Sequence, residues 1–123
     1  MSHVTQYAYD LSGNIVKKTL ANGTTENRVH DGRNRVSTLD NETGGSANLA
    51  SYAYQYDKTG NVMYVAETYP TSGVTLSNRT ITNTYDGVYR LMTEVIATTG
   101  GSTVTTTYGY DKGHNRTSKT VTS

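Results

Sequence analysis

The chain has 123 residues, enough for one domain of ordinary size, but only 33% are hydrophobic and none is Phe, Trp or Cys. Aromatic burial falls to 11 tyrosines, whose hydroxyls need a partner or water, so a thick oily core, disulfides and thiolate metal sites are all excluded. Eleven basic against 10 acidic residues leave a formal net charge of +1, and no basic run exceeds Lys17-Lys18, which excludes the clustered cationic face of a nucleic-acid binder.

The predicted elements are strands throughout. Thr, Val and Tyr favour strands, Gly and Asn favour turns, and no window has helical periodicity. With β-formers this abundant and net charge this low, a folded chain is expected rather than a disordered one. At the start, Met1-Ser2-His3-Val4 lacks the apolar stretch of a leader peptide, and no apolar run approaches the roughly 20 residues of a membrane span.

The first hairpin is expected around Tyr7-Ala8-Tyr9-Asp10-Leu11-Ser12-Gly13-Asn14-Ile15, with Tyr7 and Tyr9 on one face of its strand. A connector follows at Ala21-Asn22-Gly23-Thr24, carrying the Asn-Gly turn signal. The second hairpin, the most worn, is His30-Asp31-Gly32-Arg33-Asn34-Arg35-Val36. A connector at Asn41 to Asn48 contains Gly44-Gly45. The third hairpin is Tyr54-Gln55-Tyr56-Asp57-Lys58-Thr59-Gly60-Asn61-Val62. Tyr52, Tyr54 and Tyr56 share a face before its turn, and Val62, Tyr64 and Ala66 share one after it. Pro70 to Gly73 joins it to the looser fourth hairpin, Tyr85-Asp86-Gly87-Val88-Tyr89-Arg90-Leu91, where Leu91, Thr93 and Val95 are expected on one face. Thr98 to Ser102 leads to the fifth, Tyr108-Gly109-Tyr110-Asp111-Lys112-Gly113-His114-Asn115-Arg116, preceded by the alternating Val104, Thr106, Tyr108 and Tyr110.

These are five copies of Tyr-Asp-x-x-Gly-Asn/Arg-apolar, with aspartates 21, 26, 29 and 25 residues apart. The pattern has a mechanical reading. Asp opens a type I turn and accepts backbone N–H bonds, and three residues later the hairpin needs a left-handed residue to close as a bulge. Gly13 and Gly60 supply it without strain, and Asn34 and His114 belong to types enriched at positive φ. Tyr89 departs from the pattern, so a different turn form is expected for the fourth copy. The fold class is all-β: about ten strands in one continuous antiparallel sheet, residues 1–123 forming a single array centred near 10, 31, 57, 86 and 111.

From about Thr5 to Val121 this pattern resembles the YD repeat of Rhs proteins. The first, third and fifth copies match well, and the second and fourth are degenerate. The resemblance implies a curved, spiralling sheet that, in Rhs and toxin-complex proteins, forms a hollow shell around a toxic polypeptide, and in teneurin-like surface proteins an adhesion scaffold. It implies an extracellular or cell-surface protein and very large parents. The chain departs from that family in size, since a closed shell needs many more repeats. It also lacks the Asp-Pro-rich self-cleavage signature, its one proline being Pro70 after Tyr69. Neither proteolysis nor an enclosed toxin carries over. A piece of a longer array and a short protein completed by association both remain open.

No chemical constellation competes with this reading. Each turn offers a single carboxylate, whereas a calcium loop needs several oxygen ligands within a dozen residues. His3, His30 and His114 share no metal spacing. No nucleophile elbow of the Gly-x-Ser-x-Gly kind occurs. Sequons at Asn22, Asn41, Asn78 and Asn115 are what an Asn- and Thr-rich chain produces by chance. The expectation is therefore no catalytic, cofactor or metal residues, and a structural motif of Tyr9, Asp10, Gly13, Asp31, Asn34, Tyr56, Asp57, Gly60, Tyr85, Asp86, Tyr110, Asp111 and His114. The expected function is a non-enzymatic structural β-scaffold within an exported protein, partnered by further repeats of a parent chain or an enclosed polypeptide. Two alternatives stand beside it: self-assembly through open sheet edges, and binding of a glycan or receptor by exposed Tyr.

Overall fold

The computed structural model describes residues 3–70 and 77–123. Residues 71–73 of the connector expected at Pro70 to Gly73, and Met1 and Ser2, lie outside the described residues. The described chain is all strand and turn: β1 (Gln6–Tyr9), β2 (Ile15–Thr19), β3 (Thr25–His30), β4 (Val36–Glu42), β5 (Asn48–Tyr56), β6 (Val62–Thr68), β7 (Arg79–Tyr85), β8 (Leu91–Thr98), β9 (Thr103–Tyr110) and β10 (Arg116–Thr122). They form one antiparallel ten-stranded sheet hydrogen-bonded in chain order, as the alternation and turn signals predict. By compactness the chain divides into two units. The first holds Met1–Tyr54 with Glu67–Leu76, and the second Gln55–Ala66 with Ser77–Ser123.

In the first unit, β1 pairs β2 with Ala8 opposite Lys17 and Tyr9 opposite Ile15, which leaves Val16 as an extra residue. β3 pairs β4 in the same manner, Val29 opposite Thr38 and His30 opposite Val36, leaving Ser37. In the second unit, Thr84 opposite Thr93 and Tyr85 opposite Leu91 leave Met92, and Gly109 opposite Ser118 and Tyr110 opposite Arg116 leave Thr117. Each of these four hairpins thus carries a bulge six residues after its Asp. The bulge corrects one expectation. Leu91 and Thr93 sit opposite the adjacent residues Tyr85 and Thr84, which point to opposite faces, so Leu91 does not share a face with Thr93 and Val95. The Thr84 and Thr93 hydroxyls, 2.6 Å apart, mark the face that those two share.

The sheet has no oily centre. Among the described residues no hydrophobic side chain is buried, and the two buried residues are polar, Glu67 and Thr106, each 8% exposed. Eight tyrosines are half-buried, and Tyr7, Tyr9 and Tyr89 are exposed. The alternation is plain in β5, where Tyr52, Tyr54 and Tyr56 are half-buried and the intervening Ala53 and Gln55 are exposed. With so little apolar area removed from water, the backbone ladders and the tyrosine faces carry the stability. Every residue of β1 and of β10 is exposed.

The three described connecting turns share one hydrogen-bond pattern. The Leu20 N–H donates to the Thr24 carbonyl at 2.9 Å and the Gly23 N–H to the Leu20 carbonyl at 2.9 Å, with Gly23 at φ 84°. Thr43 to Ala47 and Thr98 to Ser102 make the same pair of hydrogen bonds, but in the latter the left-handed residue is Gly100, at φ 72°, one position earlier. In the Thr43 turn the left-handed residue is Ser46, at φ 62°, and not either glycine of the Gly44-Gly45 pair.

Candidate functional site

The repeated feature is the Asp turn, and all five copies have one construction. The Asp N–H donates to the carbonyl four residues on, and the N–H three residues on donates to the Asp carbonyl. These bonds measure 2.9 and 3.1 Å at Asp10, 2.8 and 3.0 Å at Asp31, 2.9 and 3.2 Å at Asp57, 2.9 and 3.0 Å at Asp86, and 2.9 and 3.2 Å at Asp111. The third residue after Asp is left-handed every time: Gly13 at φ 84°, Asn34 at 60°, Gly60 at 98°, Tyr89 at 66° and His114 at 66°. The fourth turn therefore does not depart in form. Its flanking hydrogen bonds hold Tyr89 left-handed despite the residue's reluctance, a local strain imposed by the hairpin.

The carboxylate does the rest. In each turn Oδ1 accepts the N–H groups two and four residues on: Ser12 and Asn14 at Asp10, Arg33 and Arg35 at Asp31, Thr59 and Asn61 at Asp57, Val88 and Arg90 at Asp86, Gly113 and Asn115 at Asp111. Oδ2 accepts the side chain of that fourth residue, an amide from Asn14, Asn61 and Asn115 and a guanidinium Nε from Arg35 and Arg90, the last two at 2.7 Å. These fourth residues are the part of the motif that sequence reasoning left without a role. Their signal is a strict order at one offset: Asn14, Arg35, Asn61, Arg90, Asn115.

The donors hold every turn carboxyl below its ordinary value. At Asp10 the Asn14 amide is the main cause, followed by the Asn14 N–H. At Asp31 desolvation pulls upward, and the N–H groups of Arg35 and Arg33 with the Arg35 guanidinium overcome it. The Asn61 amide dominates at Asp57, the Arg90 N–H at Asp86 and the Asn115 N–H at Asp111. Carboxylates held in the charged form, with both oxygens already accepting, are suited to fixing a turn and poorly suited to proton transfer. No group of three His, Cys, Asp or Glu able to hold a metal ion occurs among the described residues. His3 lies ahead of β1, while His30 and His114 serve two different turns.

The tyrosines before Asp86 and Asp111 work across hairpins. The Tyr85 hydroxyl donates to the Val62 carbonyl at 2.8 Å, and that of Tyr110 to the Leu91 carbonyl at 2.7 Å. In both cases the acceptor is the fifth residue after the preceding Asp. His30 occupies this place in the second repeat, and its Nδ1 is buried without a hydrogen-bond partner. Turns also touch their neighbours. The Asn14 amide donates to Asn34 Oδ1 at 2.9 Å. Arg90 lies 4.6 Å from the centre of the Tyr110 ring, donates through Nη1 to the Asp111 carbonyl at 3.2 Å, and places Nη1 3.3 Å from His114 Nδ1. Within the first unit the first two turns are thus linked, and within the second unit the last two.

No family model and no curated protein sequence matches the chain. Solved structures do. The chain is similar to a chain of the Photorhabdus luminescens Tc holotoxin pore, at 17% identity and a TM-score of 0.81 over 96% of its length. It is likewise similar to chains of the TcdB2-TccC3-Cdc42 and TcdB2-TccC3-TEV structures, at 17% identity over 97% of its length with TM-scores of 0.83 and 0.79. It spans 7% of each of those chains. These likenesses establish the fold, and they agree with the YD-repeat resemblance carried by the Asp turns.

Proposed function

We propose that this chain is a non-enzymatic structural β-scaffold, a wall segment of an exported YD-repeat protein. The observation that carries the reading is the set of five Asp turns of one construction in a ten-stranded sheet, whose carboxylates are all committed to the turns themselves. The fold shared with far longer toxin-complex chains supports a role as one stretch of a larger wall, around a polypeptide cargo or at a surface. The test is removal of the array from the polypeptide it serves, followed by protease protection of the cargo and antibody access at the cell surface. The expected result is lost protection or display, and unchanged retention and display refute the reading.

A second reading, association of copies through their edges, is favoured by the full exposure of β1 and β10. Light scattering over a wide concentration range tests it, and a strictly monomeric chain throughout rejects it. Glycan or receptor binding rests on the exposed rings of Tyr7, Tyr9 and Tyr89, and an empty glycan array removes the glycan arm.

A further inference from the structure

The fifth repeat breaks the pattern at a position that the other four keep apolar. Five residues after the Asp stand Ile15, Val36, Val62 and Leu91, all half-buried, and in the fifth repeat Arg116, which is exposed. Eight residues after the Asp stand Lys18, Leu39, Val65, Glu94 and Lys119, so the fifth repeat alone is cationic at both positions. The bulge then decides where these two side chains go. Residues three apart on a regular strand point to opposite faces. Here Thr117 is the extra residue, Arg116 stands opposite Tyr110 and Lys119 opposite Tyr108, and those two tyrosines share a face. The bulge thus brings both cations to the tyrosine face.

Both cations lie against one ring. The Arg116 guanidinium is 5.8 Å and the Lys119 ammonium 6.0 Å from the centre of the Tyr108 ring, while Arg90 sits 4.6 Å from that of Tyr110. Arg90 has an acid partner in Asp86, whereas Arg116 and Lys119 have none among the described residues. Asp111 spends both carboxylate oxygens within its own turn, and Glu94 stands opposite Thr106 on β8, two strands from β10. Residues 108–123 hold Lys112, Arg116 and Lys119 against the single acid Asp111, an excess larger than the +1 of the whole chain. Two like charges beside one ring repel, and the four apolar counterparts of Arg116 show that the hairpin needs no cation there. A local rule broken without structural gain marks a position kept for contact. Charge on an edge strand also wards off other strands, but that role asks for no common face.

We propose that Arg116 and Lys119, backed by Tyr108, form a docking site for an acidic segment of another polypeptide. The guanidinium fork takes one carboxylate through two N–H bonds, the ammonium takes a second as a point charge, and methylene groups of the segment cover the Tyr108 ring. The site is an open strand surface, every residue of β10 being exposed, which suits an extended chain. Two adjacent cations fall short of the basic face that a nucleic acid needs. The β1 strand of a second copy is a poor occupant, since Gln6–Tyr9 carries no acid. The site needs only β9 and β10 and goes beyond the scaffold reading: it holds one kind of partner at one place on the sheet.

The test is an NMR shift titration of the full chain at low salt with a short peptide of alternating Glu and Thr, blocked at both ends. Saturable shifts are expected at the amides of Tyr108 and of residues 116–119. Arg116→Leu with Lys119→Leu copies the residues that Leu91 and Leu39 supply at these repeat positions, so the variant is expected to fold and to bind the peptide about tenfold more weakly. Lys17→Gln with Lys18→Gln removes the same charge from β2 and should leave binding within about twofold. Arg116→Glu with Lys119→Glu should exchange the acidic peptide for one of alternating Lys and Thr, which a merely damaged strand could not do. No saturable shift at β10 overturns the proposal. Equal weakening by the β2 pair reduces the effect to net charge and overturns it, as does a reversed pair that still prefers the acidic peptide. Inorganic phosphate that shifts the same amides as tightly as the peptide makes this a site for a lone anion and overturns the polypeptide partner. All of these outcomes leave the scaffold reading standing, since its own test removes the array.

Discussion

Gly60→Ala and Gly87→Ala should move stability in opposite directions. Both glycines lie in Asp turns of the second unit, and a methyl group at either would meet nothing within 4 Å. Neither change creates a clash or fills a gap. Each removes conformational freedom from the unfolded chain, a gain of about 0.4–1 kcal/mol where the native backbone suits alanine. Gly87 has no left-handed backbone and should show that gain, whereas Gly60 sits at φ 98° and forces alanine into a region costing about 1–2 kcal/mol. The unfolded-state gain is common to both, so the gap between the variants is the left-handed strain alone, about 1–2 kcal/mol. For a chain of this length that is a separation of roughly 5 °C in Tm. Urea unfolding followed by circular dichroism measures it as a shift in midpoint at constant slope. If the two variants shift together by the same amount, the left-handed third residue is not what closes these turns.

His30→Tyr should stabilise the chain by about 1–2 kcal/mol in the same assay, by removing a buried nitrogen that lacks a partner and offering a hydroxyl to the carbonyl of Ile15, the fifth residue after Asp10. A loss of stability would show that the tyrosine hydrogen bond across hairpins does not extend to the second repeat. The lowered carboxyls of Asp10, Asp31, Asp57, Asp86 and Asp111 set an acid limit. Their folded values lie below the ordinary 3.8, so their contribution is complete above that value and is lost as pH falls through the folded ones. Unfolding midpoints from pH 7 to pH 2 should stay flat and then fall below about pH 4, with a smaller fall in Asp57→Asn. Tyr69 should ionise last. Burial, then its hydrogen bonds with Tyr52 and Glu67, push it up to about 12, so its contribution persists to pH 10 and is lost as pH rises through 12. Alkaline absorbance titration should lose its highest component in Tyr69→Phe.

Much of the fold was legible because period-two alternation and the Asp-to-Gly offset are both printed in the side chains. Tyr52, Tyr54 and Tyr56 announce β5, and Asp57 with Gly60 announces its turn. The bulges were not legible, because Val16, Ser37, Met92 and Thr117 have no type in common and the extra residue is set by backbone geometry after the turn. That is why Leu91 and Thr93 looked like neighbours on one face. Tyr89 misled for a related reason: propensity argues against a left-handed tyrosine, and the hydrogen bonds from Tyr89 N–H to the Asp86 carbonyl and from Asp86 N–H to the Arg90 carbonyl decide otherwise. The alternating clamp residues stood in plain view. Their role needed the knowledge that Oδ2 points back along the turn, a fact that no spacing encodes.

The lack of any buried hydrophobic side chain among the described residues has an evolutionary consequence. In a packed globule, inserting or deleting an element means refitting a shared interior. Here a hairpin answers only to the hairpin on each side, so duplication can lengthen the sheet without any other residue having to change. Damage is equally local. A worn copy such as the one at His30 weakens two seams and leaves the rest intact, which gives such a sequence room to drift while its length and turn chemistry persist.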